Sequence, residues 1–187
     1  MNREFDLIIY GATGFTGKLA VEYIDNNYSD LKWAIAGRNS EKLNQMSHST
    51  NSTPPIFIAR SDDGNSLSEV VKKTKVIASL AGPFSKYSNE LVNQCYENNT
   101  NYVDITGENI WVRDLIDRYH KGCEEKGIFI IPSCGYDSIP SDIGSFYCHM
   151  MLNENIDHID GYHTGKGGVS GGTIESAFNM KNYKSSY

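Results

Sequence analysis

The chain has 187 residues, enough for one domain of about 150 residues and a remainder. Its 17 basic and 23 acidic side chains leave a net charge of −6, which argues against a polyanion such as nucleic acid as a partner. No apolar run approaches the ~20 residues of a membrane helix and the N-terminus lacks the apolar core of a secretory signal, so a cytoplasmic protein is expected. Cys95, Cys123, Cys134 and Cys148 show no C-x-x-C spacing and read as reduced, mostly buried thiols.

The first predicted element is a buried strand, Phe5 to Tyr10, with Leu7, Ile8 and Ile9 in one apolar run. A glycine-rich corner follows, and then a helix whose apolar stripe is Leu19, Ala20, Tyr23 and Ile24. Lys32 to Gly37 reads as the second strand and Ser40 to Met46 as a short helix, with a polar, proline-ended loop from Ser47 to Pro55. Ile56 to Ala59 is a brief third strand, and Leu67 to Lys73 a helix. Lys75 to Ala81 is the fourth strand, before a helix from Ser88 to Asn98 with Leu91, Val92, Cys95 and Tyr96 inward. Tyr102 to Ile105 is the fifth strand, Trp111 to Lys126 a long helix with Leu115, Ile116 and Tyr119 on its inner face, and Ile128 to Ile131 the sixth strand. Strand and helix alternate throughout, and no internal repeat is visible. The pattern predicts an α/β fold, a doubly wound parallel sheet with helices on both faces, suited to binding a nucleotide.

The chemistry gathers where strands end. Gly11, Gly14 and Gly17 form G-x-x-G-x-x-G between the first strand and its helix, with Thr13, Phe15 and Thr16 between them. Free N–H groups at the start of that helix, together with its dipole, favour a phosphate. Gly11 permits the turn, Gly14 keeps a Cβ away from a pyrophosphate, and Gly17 lets the helix lie close on the strand. After the second strand stands Arg38 rather than a carboxylate. An acid there would bind the 2′-hydroxyl of NAD, whereas an arginine matches the 2′-phosphate of NADP. An ordinary surface arginine would look the same. Ala81, Gly82 and Pro83 end the fourth strand and should border the dinucleotide crevice, as a plain structural turn also would. Asp104, Thr106 and Glu108 end the fifth strand, where a carboxylate would orient a substrate or cap the helix near Trp111. After the sixth strand, Tyr136 and Asp137 face the nicotinamide end, with Tyr136 as a proton donor. Capping and turn formation account for Asp137, Ser138 and Asp142 equally well. The histidines show no zinc spacing, and no metal is implied.

The strings "YGATGFTG", "AGR", "AGPF", "VDITGE" and "GYDSIPSDIG", in this order, resemble the saccharopine dehydrogenase-like oxidoreductases, a group that includes the trans-acting enoyl reductases of lipid synthesis. The resemblance covers the chain from Phe5 onward. One departure is Tyr87-Ser88, where several relatives carry Tyr-Gly. It implies an NADP-binding Rossmann domain over residues 1–152 and the start of a substrate and dimerisation domain over 153–187. Ile156 to Tyr162 resembles the first strand of that second domain, and the stretch from Ser170 its first helix. The apolar positions of this tail are Ile156, Ile159, Val169, Ile174, Ala177 and Phe178. Its strand lacks neighbours for its backbone groups and its helix a sheet on which to bury Ile174 and Phe178, so the tail is expected to be loosely held or self-associating. The resemblance further implies NADP(H)-dependent oxidoreduction of a small-molecule substrate that is lipid-derived or amino-acid-like, a homodimer formed through the second domain, and association with lipid droplets or mitochondria. The other class that fits the residues is a non-catalytic NADP-binding regulator or an inactive truncated product.

Overall fold

A computed structural model describes residues 3–152, 156–168 and 170–183. Its centre is a six-stranded, all-parallel sheet in the order β3-β2-β1-β4-β5-β6. The strands are β1 (Phe5–Tyr10), β2 (Trp33–Gly37), β3 (Ile56–Ile58), β4 (Thr74–Ser79), β5 (Asn101–Asp104) and β6 (Ile130–Ile131). Between them run α1 (Phe15–Asn27), α2 (Ser40–His48), α3 (Gly64–Val71), the single turn α4 (Phe84–Tyr87), α5 (Asn89–Glu97) and α6 (Asn109–Lys126). Two further helices follow β6, α7 (Ile139–Leu152) and α8 (Gly171–Asn182).

Strand side chains alternate between two cores because the pleat has period two. Ile8 and Tyr10 of β1, with Ala34 and Ala36 of β2, pack with Leu67, Leu91, Val92 and Trp111 from α3, α5 and α6. Ile9 and Ile35 point the other way, to Val21 and Leu43 of α1 and α2. Both faces of the sheet are thereby covered, which is the doubly wound arrangement expected from the sequence. The order of strands reverses direction between β1 and β4, and the crevice at that point is where such sheets bind ligands.

Several expectations need correction. On α1 the buried positions are Gly17 and Val21, while Leu19 and Tyr23 are 54% and 58% exposed. The cause is Gly17: a Cβ there would lie 2.6 Å from the Ala12 carbonyl oxygen, so the helix is turned to lay its glycine on the backbone of the corner. On α6, Ile116 is largely exposed, because Trp111, Leu115, Tyr119 and Cys123, spaced four residues apart, already form the inner stripe. Cys95 and Cys123 are buried, but Cys148 is exposed on α7, none of whose residues is buried. Residues 156–162 are irregular rather than a strand, whereas the expected helix after Ser170 is present with that serine as its N-cap. Val169 lies outside the described residues. The α8 segment is tied to the domain: Asn179 donates to Ser85 Oγ at 2.6 Å and the Tyr183 hydroxyl to Asp114 at 2.7 Å.

Candidate functional site: a crevice at the switch point

The corner after β1 is built from the backbone. Gly11 has φ +81°, a left-handed conformation that favours glycine, and its carbonyl accepts from the Gly14 N–H at 3.1 Å. A Cβ on Gly11 would meet the Ala81 nitrogen and Cβ at 2.9 Å, so the corner sits directly against the end of β4. Gly14 is the N-cap of α1 with no side-chain cap, which leaves the first N–H groups of the helix for a ligand. A Cβ there would meet only the Gly11 carbonyl oxygen, at 3.3 Å, and is otherwise free of protein atoms.

A cavity of about 210 Å³ lies at this end, bordered by Gly11, Thr13, Gly14, Arg38, Ala81 and Gly82. Six of the residues singled out from sequence are therefore brought to one place. Tyr10, Gly37, Ser61, Leu80 and Tyr87 complete the lining. Ser61 carries no motif in the sequence, and Tyr10 and Tyr87 stand in or just after the motif strings without having been assigned to the site. Arg38 is exposed, and no ion pair or hydrogen bond engages its guanidinium among the described residues. Burial pushes the Tyr10 phenol up to about 12, so it stays protonated at neutral pH. Gly17 is on the buried face of α1, against the Gly11 and Ala12 carbonyls and outside the lining, Phe15 is exposed and Pro83 is also outside the lining.

A second cavity, about 370 Å³, opens on the other side of Gly82. Thr16, Leu80, Phe84, Ile105, Glu108 and Asp137 line it, with Ser176 and Met180 of α8 along one wall. Of the two residues expected at this end, Asp137 is present in the cavity, whereas Tyr136 is 83% exposed and absent from its lining. A larger polar cleft of about 610 Å³ runs between α1 and α2 from Thr13 to Asn51, away from the ends of β4, β5 and β6.

The acids after β5 act on backbone. Asp104 is buried, and its carboxylate accepts from the Thr106 and Ser133 N–H groups at 2.9 and 3.0 Å and from the Tyr102 hydroxyl at 2.8 Å. Burial pushes its pKa above the ordinary carboxylate value, against the pull of those hydrogen bonds. It ties the end of β5 to the loop after β6, where Ser133 is left-handed at φ +64°. Glu108 stands at the N-cap position of α6 without capping it through its side chain. It reaches across to the Phe84 and Ser85 N–H groups instead, at 2.8 and 2.9 Å.

A Gly-framed cradle open to the first turn of a helix, an arginine at the end of β2 and a second cavity beyond it define a dinucleotide-binding domain of the Rossmann class, and the residues fit a dinucleotide along its length. Comparison with known proteins narrows this class. The sequence profile of the saccharopine dehydrogenase NADP binding domain matches residues 7–131. The chain belongs to that family, and its cofactor is NADP. It is 39% identical over 156 residues to a trans-acting enoyl reductase of Mycobacterium tuberculosis, an alignment covering 82% of this chain and 37% of that protein. It is 31% identical over 168 residues to a lipid droplet localized protein of Caenorhabditis elegans, covering 85% of this chain and 39% of the relative. Among solved structures, the apo saccharopine dehydrogenase (L-Glu forming) of Saccharomyces cerevisiae has the same fold, with a TM-score of 0.66 at 16% identity over 79% of this chain and 31% of that one. The chain thus spans about two-fifths of the length of the curated relatives it matches. No helix among the described residues is long and apolar enough to cross a membrane.

Proposed function

We propose that this chain is the cofactor-holding part of an NADP(H)-dependent oxidoreductase that acts on an enoyl or carbonyl group of a lipid-derived small molecule. The observation that carries the cofactor preference is Arg38. It stands at the end of β2, lines the same cavity as the glycine corner, and has its guanidinium uncommitted among the described residues. In this reading the N–H groups at the start of α1 hold the pyrophosphate and Arg38 pairs with the 2′-phosphate. The cofactor supplies the hydride chemistry, and the protein supplies binding and orientation. Asp137, in the second cavity, is our proposed residue for holding a polar group of the substrate, and Tyr136 enters only if its loop turns inward.

The name of the mycobacterial relative supports the enoyl chemistry, and that of the nematode relative supports the lipid setting and a droplet association. Residues 1–152 form the cofactor domain in this proposal, and 153–187 begin a substrate domain through which two copies would pair. The decisive experiment titrates NADPH and NADH by fluorescence into the wild-type chain and into Arg38→Ala. Hydrogen bonds to a charged group are worth about 1.5–3 kcal/mol, so the wild type should prefer NADPH by about tenfold to a hundredfold. The substitution should remove that preference and leave NADH binding alone. Equal affinities in the wild type, or a preference that survives the substitution, would overturn it.

A further inference from the structure

Glu108 is a buried carboxylate, 1% exposed, whose work lies outside its own helix. Its two oxygens accept one N–H each from consecutive residues, Phe84 and Ser85, which lie 24 and 23 positions earlier in the chain. Those N–H groups begin α4 and have no partner within that turn. A buried carboxylate is costly unless its hydrogen bonds are made, and charge-assisted bonds of this length are the strong kind. The carboxylate is itself held in register: the Glu108 N–H donates to Thr106 Oγ1 at 3.0 Å, and the Thr106 N–H donates to Asp104 at the end of β5.

What is held is the edge of the cofactor crevice. The Phe84 ring stacks on Trp111, with centroids 6.3 Å apart, and a Cβ on Gly82 would touch that ring at 3.2 Å. Phe84 thus lies directly against Gly82, two residues before it in the same loop, and Gly82 borders both cavities. Ser85 carries a second load, since its Oγ receives the Asn179 amide of α8. Resting on the reading of the crevice as an NADP site, we propose that Glu108 is a positioning residue: it anchors the loop from Leu80 to Ser85 in the shape that receives the nicotinamide half of the cofactor, and through Ser85 it seats α8 over the second cavity.

The test is Glu108→Gln, with folding checked by circular dichroism and thermal melting. A glutamine presents an NH2 to one of the two N–H donors, so one bond is lost and two donors collide. Bonds to a charged acceptor are worth about tenfold or more in an equilibrium, and a loop that is only partly in place weakens apparent affinity by its competent fraction. NADPH should therefore bind about tenfold more weakly, while the ratio of NADPH to NADH affinity stays unchanged because Arg38 is untouched. Limited proteolysis should also cut faster before α8, in the glycine-rich stretch from Gly165 to Ser170. A folded variant with wild-type affinity and wild-type protease resistance overturns the proposal. Hydrogen exchange at the Phe84 and Ser85 amides of the wild type judges it without any variant. Protection is expected, and exchange at loop rates overturns it even if the substituted protein fails to fold. A wild type that binds no NADPH sinks the proposed function, and the amide protection and the cleavage rate then decide this anchoring by themselves.

Discussion

The two ends of the crevice are built in different materials. The phosphate end is made of backbone: Gly11 in a left-handed turn, Gly14 leaving room, and Gly17 pressed on the Ala12 carbonyl, all within seven residues. The far end is made of buried side chains from distant parts of the chain. Asp104 binds the loop after β6, Glu108 binds the loop after β4, and α8 leans in through Asn179. A backbone cradle depends on the absence of atoms, so adding a methyl group breaks it. A side-chain lattice depends on charge and hydrogen bonding, so it answers to pH and to isosteric changes.

The largest effect should come from the phosphate end. Gly17→Ala would drive a Cβ into the carbonyls of Gly11 and Ala12, with backbone on both sides and nothing flexible to yield. A loss of about 3 kcal/mol is expected, at the upper end of overpacking costs, along with loss of NADPH binding. Gly14→Val at the same corner should separate the two effects. Its Cβ meets one oxygen at 3.3 Å, so the melting temperature should change little while affinity falls by about a hundredfold, on the order of 3 kcal/mol. Melting curves and calorimetry of both variants check this. If Gly14→Val binds normally, the corner is only a turn and the contrast between the two ends collapses.

The far end should give a smaller effect with a pH signature. Burial raises the Asp104 pKa above its ordinary 3.8, so the folded protein holds that proton more tightly than the unfolded chain does. The stability tied to this group is then complete below pH 3.8 and is lost as pH rises through the folded value. Asp104→Asn keeps the shape and can still accept from Thr106 and Ser133, so at neutral pH it should match or exceed the wild type by up to about 1 kcal/mol. It should also flatten this group's part of the pH dependence. Asp104→Ala leaves two buried N–H groups without an acceptor and should cost about 2–3 kcal/mol. Urea unfolding from acid to neutral pH distinguishes them, and an unchanged pH profile in the asparagine variant would refute the assignment. The smallest effect is expected from Tyr136→Phe. An 83% exposed hydroxyl outside the cavity lining should leave NADPH affinity within about twofold of wild type, by the small energies of exposed surface changes. A large loss would mean that the loop turns inward when the cofactor binds.

What was legible in the sequence follows the same division. The six strands, their alternation with helices and the doubly wound sheet could be read because periods of two and 3.6 residues are local properties. The glycine corner and Arg38 could be read because a strand-to-helix turn and the residue ending the next strand are defined by a few neighbours. The motif strings carried the family, which the profile over residues 7–131 shows. Only the tertiary structure turned α1 so that Gly17 and Val21, rather than Leu19 and Tyr23, face the sheet. It alone showed that Glu108 does not cap its own helix: the carboxylate meets N–H groups more than twenty residues away. It put Asp137 in the second cavity and left Tyr136 outside. Periodicity records which face of an element is apolar. The partner of a buried charge is set by how strands β4 and β5 lie side by side, and that contact is made in space between residues that no sequence window holds together.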